Sequence, residues 1–176
     1  RPGRSIRLSR VSALSVIPPG GRPLRMDEYA MLVDQMAQLV LSSHLFKSLD
    51  DEGRKRALEL GFVASFCAGD TLMKQGQPSP TMYLLLQGSV RVETETPSGH
   101  VQLAELGKNA CVGEVGLLAE GPRTATVTAI TDVDAVAFER DRLFELFEAY
   151  PQVREVLESL VEGRARDAIE KIVGSV

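Results

Sequence analysis

The spacing of apolar residues divides the chain into stretches of different period. Tyr29, Leu32, Val33, Met36, Ala37 and Val40 recur three and four apart, which predicts an amphipathic helix to about residue 42 with Asp27 as its N-cap. The stretch DDEGRKRALEL, which begins at Asp50, places acids before bases, matching the helix dipole, and predicts a second short helix. From Phe62 the pattern changes. Short apolar runs (FVASF, TLMK, MYLLLQ, SVRVETE, HVQLAEL, TATVTAI, VDAVAFER) are separated by turn signals such as AGD, QGQPSP, Gly88 and TPSG. Val90 and Val92 alternate with Arg91 and Glu93, the period-two signature of a strand. Many short strands at this spacing predict a β-sandwich or jelly roll and not a parallel βαβ sheet.

Helical spacing then returns. DRLFELFEAY predicts a short helix, and Pro151 suits the first turn of a longer one. Along that helix Val153, Val156, Leu157, Leu160, Val161, Ala165, Ala168, Ile169 and Ile172 form a stripe wider than a coiled-coil seam. Either the whole stripe packs on its own domain, or one flank stays open to a ligand or to a second chain in a homodimer. The fold class is therefore mainly β with flanking helices: a double-stranded β-helix, or jelly roll, with N-terminal helices and C-terminal lid helices. The expected organisation is a basic tail or linker over 1–25, a helical segment over 26–60, and the jelly roll with its C-terminal helices over 61–176.

Composition narrows the chemistry. At 176 residues and 44% hydrophobic, the chain has material for one sizeable core. No apolar run approaches the roughly 20 residues needed to span a bilayer. The first residue is Arg and not Met, so a fragment or a processed chain is expected. Six arginines and no acid fall within residues 1–25, leaving 14 of the 20 basic residues against all 24 acids elsewhere. An acidic globular part disfavours direct contact with nucleic acid. The tail, with its Ser, Pro and Gly, fits a solvated linker, or alternatively a strip for an anionic surface. Cys67 and Cys111 lack zinc-ligand spacing and are expected as small buried hydrophobes in a reducing cytoplasm. His44 and His100 have no metal-ligand neighbours, so no metal is expected. GxxxxGK[ST], HExxH, GxSxG and CxxC are all missing, and an enzyme is disfavoured.

One stretch stands apart: GEVGLLAEGPRTATV, residues 113–127. Val112 and Gly113 end a strand, and Glu114 to Leu118 can form one helical turn whose first amides lack internal partners. Gly113 and Gly116 present no side chain to an approaching ligand. Arg123 offers a planar fork suited to a phosphate, and Glu114 an acceptor for hydroxyls. The segment fits a small ligand with an anionic end beside a hydroxyl. The alternative is that Glu114 and Arg123 pair with each other across a loop.

Gly113-Glu114-Val115-Gly116-Leu117-Leu118, followed by Arg123-Thr124-Ala125-Thr126-Val127, resembles the phosphate-binding cassette of the cyclic-nucleotide-binding domain family, of the catabolite activator and protein kinase A regulatory subunit type. Phe46, Leu49, Gly69-Asp70, Gln75-Gly76 and Tyr83 to Gly88 fall in family order, so the likeness runs over about residues 45–173. It implies that Arg123 grips a cyclic phosphate and that Glu114 accepts from the ribose 2′-hydroxyl. Backbone amides around Val115, Gly116 and Thr124 would complete the cradle, Val112 would wall the sugar, and Ala125 belongs to the same motif. The base would lie under the last helix, nearest Arg164, Asp167 and Ala168, although that helix lacks the adjacent hydroxyl pair that reads adenine in the catabolite activator. The implied ligand is cAMP, with cGMP the alternative. The implied function is a sensor that relays a conformational change through its helices to an attached or separate effector protein. Because the chain stops soon after the last helix, the signal is expected to leave through the N-terminal helices. Two other readings are the sensor half of a transcription factor truncated before its DNA-binding domain, and a degenerate interaction module that binds no nucleotide. Keeping both Glu114 and Arg123 argues against the degenerate module.

Overall fold

Residues 20–78 and 80–174 are described by a computed structural model of the protein. Helices α1 (Met26–Ser42) and α2 (Asp51–Leu60) lead into strands β1 (Gly61–Phe66), β2 (Thr71–Met73), β3 (Thr81–Gln87), β4 (Val90–Thr96), β5 (Gly99–Leu106) and β6 (Cys111–Val112). A five-residue helix, α3 (Glu114–Leu118), precedes β7 (Thr126–Ala129) and β8 (Val133–Glu139). Helices α4 (Arg140–Ala149) and α5 (Pro151–Val173) close the chain. The strands form two four-stranded antiparallel sheets, ordered β1-β8-β3-β6 and β2-β7-β4-β5, and this is the jelly roll with flanking helices that the period-two runs predict.

The burial of β3 and β8 explains their continuous apolar runs. Tyr83 and Leu85 face the space between the sheets with Val133, Ala135 and Ala137. Met82, Leu84 and Leu86 face the other way with Val136 and Phe138, onto the helices. A strand buried on both faces has no polar side to alternate with. Phe46, before α2, packs its ring 5.5 Å from that of Phe138. In β5, which lies at a sheet edge, exposed and half-buried residues interleave instead.

The ends of the elements follow local chemistry, with two departures from expectation. Helix α1 begins at Met26 with Arg25 at the N-cap, not Asp27. The Glu28 carboxylate accepts from the Arg25 amide at 3.0 Å, so the reciprocal half of a capping box sets the start earlier, and Asp27 falls in the first turn. Of the two cysteines only Cys111 is buried. Cys67 is exposed because β1 has ended: its amide donates to Asp70 Oδ2 at 2.7 Å within a turn. Helix α2 forms as predicted, and Asp50 caps it, its Oδ1 accepting from the Gly53 amide at 2.8 Å.

The expected tail lies mostly outside the described residues. At its described end the Arg22 amide donates to Ser65 O at 2.8 Å, which docks the chain on the edge of β1. Asp50 also accepts from the Tyr150 hydroxyl at 3.2 Å. Tyr150 is the single residue between α4 and α5, so this contact ties the N-terminal helices to the corner of the C-terminal pair.

Helix α5 is anchored at one end. Val153 and Leu157, in its first two turns, are its buried residues, whereas Ile169 and Val173 are 62% and 67% exposed. A fully buried Val or Leu contributes about 1.5–3 kcal/mol relative to exposure. Apolar packing therefore fixes the start of α5, and its distal half depends on other contacts.

Gly88 turns the chain between β3 and β4 at φ +83°, and a Cβ there would lie 2.1 Å from Asp132 O. Gly69 has φ +90° but open space around it. Gly69→Ala is expected to cost only the left-handed backbone penalty, about 1–2 kcal/mol, and Gly88→Ala clearly more because backbone must also move. Urea unfolding of the two variants side by side checks this, and equal losses would refute the steric argument.

Candidate functional site

The site is assembled where β6 ends. Gly113 adopts φ 86° and ψ 2°, a left-handed conformation that turns the chain from β6 into α3. A Cβ at this position would fall 2.5 Å from Arg123 Nη1 and 2.9 Å from Thr81 O. Glycine is therefore required twice, for the backbone angle and for the space that the guanidinium fills.

Arg123 is buried, 6% exposed. Its backbone is stitched to the turn after β2: the Arg123 amide donates to Gln77 O at 2.8 Å, and the Gly76 amide donates to Arg123 O at 2.9 Å. The side chain donates through Nη1 to Gly113 O at 3.2 Å and through Nη2 to Thr81 O at 2.6 Å. Both acceptors are neutral carbonyls, and no carboxylate among the described residues forms an ion pair with it. Burial lowers the Arg123 pKa, and the charges of Tyr83 and Glu114 oppose that shift. An arginine titrates so far above neutrality that the group stays protonated at pH 7. The result is a fixed positive charge held in place by dipoles, with no acid among the described residues in direct contact with it.

Glu114, the first residue of α3, is 2% exposed. Its Oε1 accepts from Nη1 of Arg164 on α5, and the same Nη1 also donates to Cys111 O. The pairing of Glu114 with Arg123, left open by the sequence, is thus not the one formed. The helix supplies the partner of Glu114, and backbone supplies the partners of Arg123. Beside them, burial pushes the Cys111 thiol well above its ordinary pKa, with Glu114 adding to the shift and Arg164 opposing it. That thiol is inert.

Glu114 and Arg123 line one cavity of about 410 Å³. Val112, Gly113, Val115, Gly116, Thr124 and Ala125 line it too, so every residue singled out around the cassette is gathered there. Arg164, Asp167 and Ala168 reach it from α5. Arg164 arrives at the carboxylate of Glu114 and at β6. Sequence reasoning missed the opposite wall, formed by Val92 of β4 and by Leu103, Ala104 and Leu106 of β5, and also Lys171 and Ile172 of α5. The β4 alternation was the available signal for Val92. The bulge that shifts the β4–β5 register between Val92 and Glu93 has no sequence mark. Lys171 Nζ donates to Leu103 O, so α5 is tied across the cavity to β5 as well as to α3. Among the described residues no group of three or more His, Cys, Asp or Glu could hold a metal ion, and no helix is long and apolar enough to cross a membrane.

A family profile described as cyclic nucleotide-binding domain matches residues 63–150. A CRP-like cAMP-activated global transcriptional regulator of Mycobacterium tuberculosis is 31% identical over 102 residues, covering 57% of this chain and 46% of that protein. A lysophospholipase nte1 of Aspergillus fumigatus is 32% identical over 107 residues, 60% of this chain but 7% of that protein. The chain thus spans less than half the length of these curated relatives. The crystal structure of the catabolite activator protein of Thermus thermophilus superposes with a TM-score of 0.65 at 30% identity, covering 73% of this chain and 61% of that one. Matched over half its length by the family profile and sharing the fold of the Thermus protein over 73% of its length, this chain belongs to the cyclic nucleotide-binding domain family.

Proposed function

We propose that this domain is a cyclic-nucleotide sensor that binds cAMP and passes a conformational change to an attached or separate effector. The observation that carries the reading is Arg123: a buried guanidinium, held on two backbone carbonyls, facing a cavity with no acid paired to it. A cyclic phosphate carries one negative charge and supplies the acceptor oxygens that this arrangement lacks. Glu114, at the other side of the mouth, accepts the ribose 2′-hydroxyl, and Gly113 and Gly116 let the phosphate approach the backbone of α3. The apolar wall of β4 and β5 and the face of α5 carrying Asp167 and Ala168 enclose the base. Lining and volume alone fit cAMP and cGMP equally. The cAMP-activated relative from Mycobacterium tuberculosis favours cAMP.

The same contacts supply the relay. Arg164 shares the Glu114 carboxylate, so a hydroxyl bound there changes the seat of α5. A ligand shifts an equilibrium only by its differential affinity for two states. Here the differential contact is at the distal half of α5, which is the part not fixed by apolar burial. Motion of α5 reaches α2 through Tyr150 and Asp50. A second reading, the sensor part of a transcriptional regulator, is favoured by the same relative, whose length is more than twice the matched segment.

Removing one partner of a buried charged pair costs about 3–5 kcal/mol, so Arg123→Ala is expected to weaken cAMP binding by about two to three powers of ten. Titration calorimetry reads this directly, and an unchanged affinity sinks the assigned role. Gly113→Ala keeps the guanidinium but displaces it, and about a tenfold or greater loss is expected in the same titration. Binding as tight as in the parent would show that Arg123 is not held where the ligand needs it. A thermal-shift series with cAMP, cGMP and cyclic dinucleotides identifies the ligand, because binding to the native state raises stability by mass action. No shift with any of them at saturating concentration would overturn the sensor reading itself.

A further inference from the structure

Two local rules are broken on facing sides of a single contact. Glu120, in the loop between α3 and Arg123, has φ 55°. The other described non-glycine residue with positive φ is Asn109, a residue type that tolerates this region, whereas Glu is not favoured there. Glycine would relieve the strain, and glycine is the next residue along. Arg140 is the first residue of α4, so a cation sits at the positive end of the helix dipole, and Glu139 at the N-cap provides no side-chain cap. The two meet: Arg140 Nη2 lies 3.0 Å from Glu120 Oε1. The contact gives the strained side chain a partner and adds a carboxylate at the start of α4, beside Asp141 of its first turn. Local conflicts resolved by one another across a loop and a helix are expected where position matters for function.

The contact continues into the helices. Arg140 also anchors α4 by its amide, which donates to Pro80 O at 2.8 Å. Its guanidinium carbon lies 5.5 Å from the Phe144 ring centroid, and that of Arg154 on α5 lies 5.9 Å from the same ring. Arg154 is fixed in turn by Glu158 at 2.7 Å. Phe144 touches the buried Phe147 with ring centroids 5.4 Å apart. An unbroken series of charge and ring contacts therefore runs from the loop that carries Arg123 to α4 and onward to the first turns of α5.

We propose that Glu120 and Arg140 are positioning residues. They form a clasp that makes the loop before Arg123 and the start of α4 move as one body, with Phe144 and Arg154 carrying that motion to α5. The clasp rests on the cyclic-nucleotide reading of the cavity for its purpose, but its mechanics can be tested without a ligand. An ion pair with Glu120 68% exposed is modest, so the expected effects are about two- to fivefold.

Hydrogen exchange on the whole chain provides the test. Without nucleotide, Glu120→Gln and Arg140→Gln each speed exchange about two- to fivefold in both 114–125 and 140–147. The double variant is no faster than either single one, and the charge-swapped pair Glu120→Arg with Arg140→Glu restores the parental rates over 114–125, whereas 140–147, which loses the Arg140–Phe144 contact, is restored only in part. The parental protection also weakens in about 1 M salt, where screening falls to about 3 Å. Independent effects confined to each residue's own segment, or no rescue by the swap, overturn the clasp whether or not any nucleotide binds. With saturating cAMP, Glu120→Gly separates coupling from stability. Relief of the strained backbone keeps its melting temperature at or above that of the parent. Yet less than about half of the cAMP-induced protection over 140–158 survives. Full protection in that variant overturns the proposal. A failure of cAMP and cGMP to bind the parent chain counts against the sensor reading alone and leaves the ligand-free exchange to decide the clasp.

Discussion

The arrangement depends on one buried charge. Arg123 is placed in the interior with backbone carbonyls of Gly113 and Thr81 as its acceptors, and placing a cation there requires structure from four directions. The turn after β2 holds its backbone. Strand β3 provides the Thr81 carbonyl, and the left-handed Gly113 leaves room for the guanidinium. The wall of β4 and β5 keeps the cavity apolar. Neutral carbonyls orient the guanidinium without cancelling its charge, which separates this arginine from an ordinary ion pair. A carboxylate in the same place would satisfy the fold and leave nothing for a ligand.

Glu114 shows the opposite arrangement. It too is buried, but its partner comes from a distant element that is only half attached. One charge of the site is thus fixed by the β core, and the other is shared with a helix whose distal half is held by polar contacts. This asymmetry suits a sensor. Helix α5 is committed to the core through Val153 and Leu157 and then runs outward, where Arg164 and Lys171 make polar contacts across the cavity. Apolar burial and polar tethering are thereby divided between the two halves of one helix, and the corner at Tyr150 joins them to the N-terminal helices.

Much of this was legible in the residues before any coordinates. The continuous apolar runs of β3 and β8, the alternation in β4, the breaks at Gly88 and the helical stripes set the order of elements, because burial on one or two faces writes its period directly into the chain. The cassette was legible because a tight turn, a short helix and an arginine lie within a few residues of each other, so their spacing is local. Departures came where a neighbour outside that local window decided the outcome. Helix α1 starts at Met26 because Glu28 reaches back to Arg25. Cys67 is exposed because the strand ends one residue before it.

By itself the sequence determined the fold class, the family likeness and the identity of the two charges, since each rests on short-range period or on a contiguous motif. Only the tertiary structure decided how those charges are partnered. Glu114 and Arg123 are nine residues apart in the chain, yet the first meets Arg164 and the second meets the carbonyls of Gly113 and Thr81. Hydrogen bonds and ion pairs form between groups that packing brings within about 3 Å of one another. The strands and helices that do the bringing are separated along the chain by distances that no local pattern records.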